Sequence, residues 1–151
     1  MRAFMFHVLM DKKWLLLFTL LSIIPAYAEN NGSVARSQFT TRIEDREPVD
    51  QVLVLDNSIT TLYFFTDVRH MEGQTVSHSW EYEGQLISKK EFTIKGPRWR
   101  VYSQKKLDPS MTGKWTVILR DDRGWPLSVA VFRYVDRAAD EMSMILPLSE
   151  N

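Results

Sequence analysis

The sequence predicts an all-β fold: an antiparallel, immunoglobulin-like β-sandwich of about seven or eight strands. Three observations predict it. From about residue 36 to Tyr134 the apolar residues recur with period two rather than 3.6. Turn residues punctuate this pattern at short intervals, at Glu83-Gly84, Gly96-Pro97 and Asp121-Asp122-Arg123-Gly124. Four tryptophans (Trp80, Trp99, Trp115, Trp125) stand in this region and the chain has no cysteine, so the core rests on aromatic burial without disulfides.

The chain opens with the pattern of a cleavable export signal over residues 1–28. Lys12 and Lys13 precede an apolar run, Trp14 to Ile24, of 11 residues. A membrane-crossing helix needs about 20 apolar residues, so a removed signal fits better than a permanent anchor. Ala26-Tyr27-Ala28 supplies the small residues that a signal peptidase reads, with Glu29 first in the mature chain. Translation from Met10 would give a compact charged start, Met10-Asp11-Lys12-Lys13. Without cysteine there is no lipoprotein anchor. The expected product is exported, periplasmic or secreted, with no stable membrane span once the signal is removed.

The mature chain keeps 16 of the 19 Lys+Arg and 18 of the 19 Asp+Glu, a formal charge of −2. This near-neutral balance gives no general attraction to nucleic acid or to an anionic membrane. Residues 29–35 are small and polar and read as a linker. The domain follows over 36–135, with strands expected at 36–44, 52–55, 59–67, 75–83, 86–95, 98–106, 114–121 and 127–135. In 75–83, Val76, His78, Trp80 and Tyr82 share one face, the pattern of a sandwich core strand. In 114–121, Trp115, Val117 and Leu119 share a face, and Ile118 is the exception. Residues 136–151 form a C-terminal tail carrying Met142, Met144, Ile145, Leu146 and Leu148. It reads as a short helix or extended segment laid on the domain, or as a peptide that docks a partner.

Several blocks resemble a bacterial family of unknown function, number 2914. They are Phe39-Thr40-Thr41 with Asp45 to Asp50; Tyr63-Phe64-Phe65-Thr66; Gly73 to Trp80; Gly96 to Val101; and Thr112 to Val117. The resemblance covers about residues 36–135. It implies an all-β domain and supplies no activity, cofactor or catalytic residue.

Motifs for catalysis are missing. The mature chain has two histidines, His70 and His78, eight residues apart across a turn, which is a poor spacing for a metal. There is no nucleophile elbow, no His-Glu-x-x-His and no phosphate-cradling glycine loop. No catalytic, metal or cofactor residue is assigned. Beside Trp80, His78 reads as a core-edge histidine bonded to a neighbour, with a ligand or proton-transfer role as the alternative. Asp45 and Glu47 could form the paired carboxylates of a glycosidase. However, Pro48 extends the chain at Glu47, and the simpler reading is turn capping and pairing with Arg46 or with arginines across the sheet.

Two further features point to binding. Lys89, Lys90, Lys95, Arg98, Arg100, Lys105 and Lys106 face Glu91 alone over 89–106. If 86–95 and 98–106 form a hairpin, Arg98, Arg100, Tyr102 and Lys106 project to one side, and Trp99 and Val101 to the other. Such a face binds an anionic polymer or simply protects a sheet edge. Trp125, at a hairpin tip between Gly124 and Pro126, is tucked back or used for contact. The sequence thus predicts a non-enzymatic exported module that contacts a protein or an anionic envelope component. Its candidate residues are Arg98, Arg100, Trp125, Arg46 and His78. An enzyme or enzyme accessory acting on envelope glycans through Asp45 and Glu47 is the alternative.

Overall fold

A computed structural model describes residues 32–139 and 144–147. The expected signal at 1–28, the first residues of the linker and much of the tail lie outside the described residues. The described chain is all-β. Its strands are β1 (Ser33–Thr40), β2 (Ile43–Glu44), β3 (Glu47–Pro48), β4 (Asp50–Asp56), β5 (Thr61–Arg69), β6 (Thr75–Tyr82), β7 (Gln85–Thr93), β8 (Arg98–Lys106), β9 (Gly113–Arg120), β10 (Pro126–Val135) and β11 (Met144–Pro147). All eight strands expected from periodicity are present. The expected 36–44 strand is broken at Thr41, where Asp50 fastens a turn. Asp50 Oδ1 accepts from Thr40 Oγ1 and Thr41 N, each at 2.7 Å.

Three strands form one sheet, in the order β1-β5-β8. Six form the other, in the order β11-β4-β10-β9-β6-β7. The pairings are antiparallel except for β4 with β10, which is parallel. The short β2–β3 hairpin forms a third, two-stranded piece. The two large sheets face one another across an aromatic core. Phe39 of β1 lies 4.8 Å from Phe132 of β10, and Phe64 of β5 meets Trp80 of β6 at 6.5 Å between ring centroids. Trp115 stacks on Phe132. A second cluster, built on Val68, Val76, Val101 and Leu119, fills one end of the interior. Val76, His78 and Trp80 point inward together, as do Trp115, Val117 and Leu119.

Composition marks residues 33–35 as linker, but β1 begins at Ser33, because Val34 packs on the second core cluster and pairs with Val68. Of the tail, Met144–Pro147 takes the extended form and pairs with β4. The β6–β7 turn needs left-handed backbone at two successive residues, Glu83 (φ 46) and Gly84 (φ 83), which glycine supplies at the second. The expected hairpin of 86–95 with 98–106 does not form: the chain crosses between sheets at Gly96-Pro97, so β7 pairs with β6 and β8 with β5, and the two are edges on the same side of the two sheets. Lys105 of β8 bridges them, donating from Nζ to Ser88 Oγ at 3.1 Å.

Candidate functional site

Strand alternation places Arg98, Arg100 and Tyr102 on the outer face of the three-stranded sheet, with Val101 and Ser103 inside. Register then assembles a row across that face. Arg36 of β1 lies opposite Asp67 of β5, and Asp67 opposite Arg100 of β8. One step along, Arg69 lies opposite Arg98. Asp67 is 2% exposed, unusual for an acid on an outward face. Its Oδ2 accepts from Arg69 Nη2 at 3.2 Å, from Arg98 Nε at 3.2 Å and from Arg98 Nη2 at 3.0 Å. Asp67 Oδ1 and Arg69 Nε face each other at 3.2 Å, yet neither has a hydrogen bond.

The β2–β3 hairpin lies over this row. The carboxylate of Glu47 is clamped by Arg36 on one oxygen and by Arg100 on the other. Burial alone would raise the pKa of Glu47, but the two guanidiniums overcome this and hold it below its ordinary 4.5. An ionised, doubly paired carboxylate is poorly suited to donate a proton. Asp45 stands exposed at the hairpin tip. Arg46, at φ 64, sets its guanidinium over the Trp99 ring at 5.8 Å. Arg36 covers Phe65 at 4.7 Å from the ring, so this outward-facing phenylalanine is fully buried.

His78 lies elsewhere, sealed between the sheets. Its Nε2 is 2.9 Å from Thr66 Oγ1 and its Nδ1 is 2.8 Å from Ser103 Oγ, which also accepts from Trp80 Nε1 at 2.9 Å. Burial, helped by the charge of Lys90, pushes its pKa down to about 3. The imidazole is therefore neutral at ordinary pH and bonded to side chains of β5 and β8.

Trp125 ends the β9–β10 turn and is 68% exposed. Its amide donates to Asp121 Oδ1 at 2.8 Å, which fixes the backbone and leaves the indole outside. Beyond it, Leu127, Val129 and Val131 of β10 project outward and are exposed. Val129 lies opposite Ile118 of β9, which shares that face. The one residue that broke the alternation of β9 thus belongs to an outer apolar row. An open groove of about 420 Å³ flanks the same turn, lined by Ser77, Lys89, Glu91, Arg120 and Asp122 among others. Among the described residues, no group of three or more His, Asp or Glu could hold a metal. No helix among them is long and apolar enough to cross a membrane.

The structure therefore brings Arg98, Arg100 and Arg46 to one region, places Trp125 on the other sheet and buries His78 between them. Reading the sequence missed Arg36, Asp67, Arg69 and the outer row of β10. Asp67 carried a signal, an ionisable group inside the otherwise uncharged Phe64-Phe65-Thr66-Asp67-Val68 run.

The fold defines an all-β domain of two open, facing sheets. Residues 73–134, from the loop before β6 into β10, match the family model DUF2914, described as a protein of unknown function, so the resemblance carried by the motif blocks holds over that stretch. The blocks at 39–50 and 63–66 precede it. No curated protein matches the chain. A crystal structure of a β-glucosidase from Kluyveromyces marxianus is similar over 74% of this chain and 15% of that one, at 11% identity and a TM-score of 0.36. The chain thus spans under a sixth of that protein's length.

Proposed function

We propose that this chain is an exported, non-enzymatic binding module, immunoglobulin-like in outline, that engages a protein partner in the periplasm or at the cell surface. One observation carries the reading: the outward row Leu127, Val129 and Val131, continued by Ile118 and ended by Trp125, is apolar where an outer sheet face is usually polar. An exposed apolar row with an aromatic anchor fits a protein interface, where tryptophans dominate the energy. The pairing of Glu47 with Arg36 and Arg100 weighs against the glycan-enzyme alternative, since it occupies one of the only two candidate carboxylates.

The test uses the mature domain with a photo-crosslinker at Val129, exposed to envelope extract. A discrete adduct is expected, lost in Trp125→Ala and Val131→Lys backgrounds and kept in Arg98→Ala/Arg100→Ala. The same adduct from a crosslinker at exposed Glu72 would remove the apolar row from the reading. Export is checked by N-terminal sequencing of the secreted product, which is expected to begin at or near Glu29.

A further inference from the structure

The arginines on the opposite face of the sandwich are more numerous than their partners. Arg36, Arg69, Arg98 and Arg100 share two carboxylates, Asp67 and Glu47, which leaves two positive charges in excess on one outer face. Arg46, held over Trp99, adds a fifth positive charge, which Asp45 beside it in the hairpin offsets, so the formal excess stays at two. Their geometry is fixed from beneath. Asp67 is buried and grips Arg69 and Arg98 largely through one oxygen, while the sheet register sets Arg36 and Arg100 on either side of it. Each guanidinium offers five N–H groups in a rigid plane. Among the described residues, five donor nitrogens of these four side chains are hydrogen-bonded, and of the others only Arg69 Nε is buried without a partner. The four side chains are partly exposed and reachable, with Arg98 at 51%. Glu47 already demonstrates the chemistry in cis: an oxyanion placed between Arg36 and Arg100 is clamped by both.

We propose that this cluster is a site for a phosphate group, on the face opposite the apolar row and independent of it. The charge count decides between oxyanions. A phosphate monoester carries about −1.5 to −2 at neutral pH, which matches the excess of two, whereas a carboxylate carries half that. Its oxygens also accept from more than two guanidiniums at once, and arginine forks suit that geometry. A phosphate monoester on a lipid and free inorganic phosphate present the same chemistry, and the test separates them.

The experiment follows arginine Nε–Hε NMR resonances of the mature chain while inorganic phosphate replaces chloride at constant ionic strength and pH 7.5. The Arg36, Arg69, Arg98 and Arg100 signals are expected to shift together and saturably, and Arg133 on β10 to stay still. Arg98→Ala/Arg100→Ala is expected to weaken binding at least tenfold, and Arg133→Ala to leave it unchanged. The wild-type shifts stand as a readout even where a variant folds poorly. A second arm sediments the protein with vesicles of phosphatidylcholine containing phosphatidic acid, a lipid phosphate monoester, or of phosphatidylcholine alone. Arginine-dependent binding to the former alone identifies a lipid phosphate, and saturable phosphate shifts without vesicle binding identify a soluble one. No concerted shift together with no arginine-dependent vesicle binding overturns the site. Equal shifts with acetate overturn the choice of phosphate.

Discussion

The outer faces of the two sheets solve the same problem in opposite ways. On the three-stranded sheet, β5 sends Phe65 and Asp67 outward, and both are buried beneath arginines and the β2–β3 hairpin. On the six-stranded sheet, β10 sends Leu127, Val129 and Val131 outward, and they stay uncovered. Antiparallel sheets commonly present one polar face to water. Here one outward face has its own lid of paired charge, and the other, among the described residues, has none. An apolar outward residue thus has two meanings, told apart by whether the chain itself supplies the cover.

The largest expected effect concerns the layer joining the two faces. Neutral His78 ties β6 to Thr66 and Ser103 of the small sheet. The unfolded chain takes up its proton near pH 6.5, the folded one only near 3. Stability is therefore complete above about pH 6.5 and falls as pH drops toward 3, by on the order of 5 kcal/mol in total. Lys90 is the charged group that adds to this, and Glu47 contributes an acid loss of its own only below its ordinary 4.5. Urea unfolding at pH 7.5, 5.5 and 4.5 measures it. A flat profile across that range would mean that protons reach His78 in the folded state and that the seam between the sheets is open.

Next in size, Asp67→Ala removes the acceptor of two guanidiniums beneath the charged lid. About 2–3 kcal/mol of destabilisation is expected, the scale of charge-assisted hydrogen bonds whose partners are left behind. The arginines are partly in water, which holds the cost below that of a fully buried ion pair. Chemical denaturation checks it. A loss under about 0.5 kcal/mol would place Asp67 on an ordinary wet surface and dissolve the contrast between the faces.

The smallest effect belongs to the bare face. Val129→Lys is expected to change stability by no more than about 0.5 kcal/mol, because the side chain is 58% exposed. A clear loss in the same denaturation assay would mean that Val129 packs within the domain, and the contrast between the two faces would shrink.

Much of this architecture is legible in the sequence, for identifiable reasons. Period-two alternation reports which way a side chain points, so the inward sets of β6 and β9 and the outward set of β8 all follow from it. Alternation does not report which strand lies alongside, and the charged lid is made by neighbours far apart in the chain. Arg36, Asp67 and Arg100 meet through register alone, and Glu47 reaches them from a hairpin too short to show a period. Pairing of the 44–50 carboxylates with arginines across the sheet is one of the two readings their composition allows, and Glu47 realises it while Asp50 fastens the preceding turn. β11 has a different obstacle. A strand of four residues ending in proline carries too little pattern to be told from a loose tail.

The lysines along the open side of the sandwich also govern how copies of the molecule meet. An unpaired strand is a template on which another chain can crystallise into a growing sheet. β7 and β8 offer two such templates side by side, but Lys89, Lys90, Lys105 and Lys106 give that flank a single sign of charge relieved by Glu91. Two copies approaching flank to flank therefore repel before their backbones can pair. With no disulfide to refasten it after a partial opening, the domain is in this way protected from polymerising along that side.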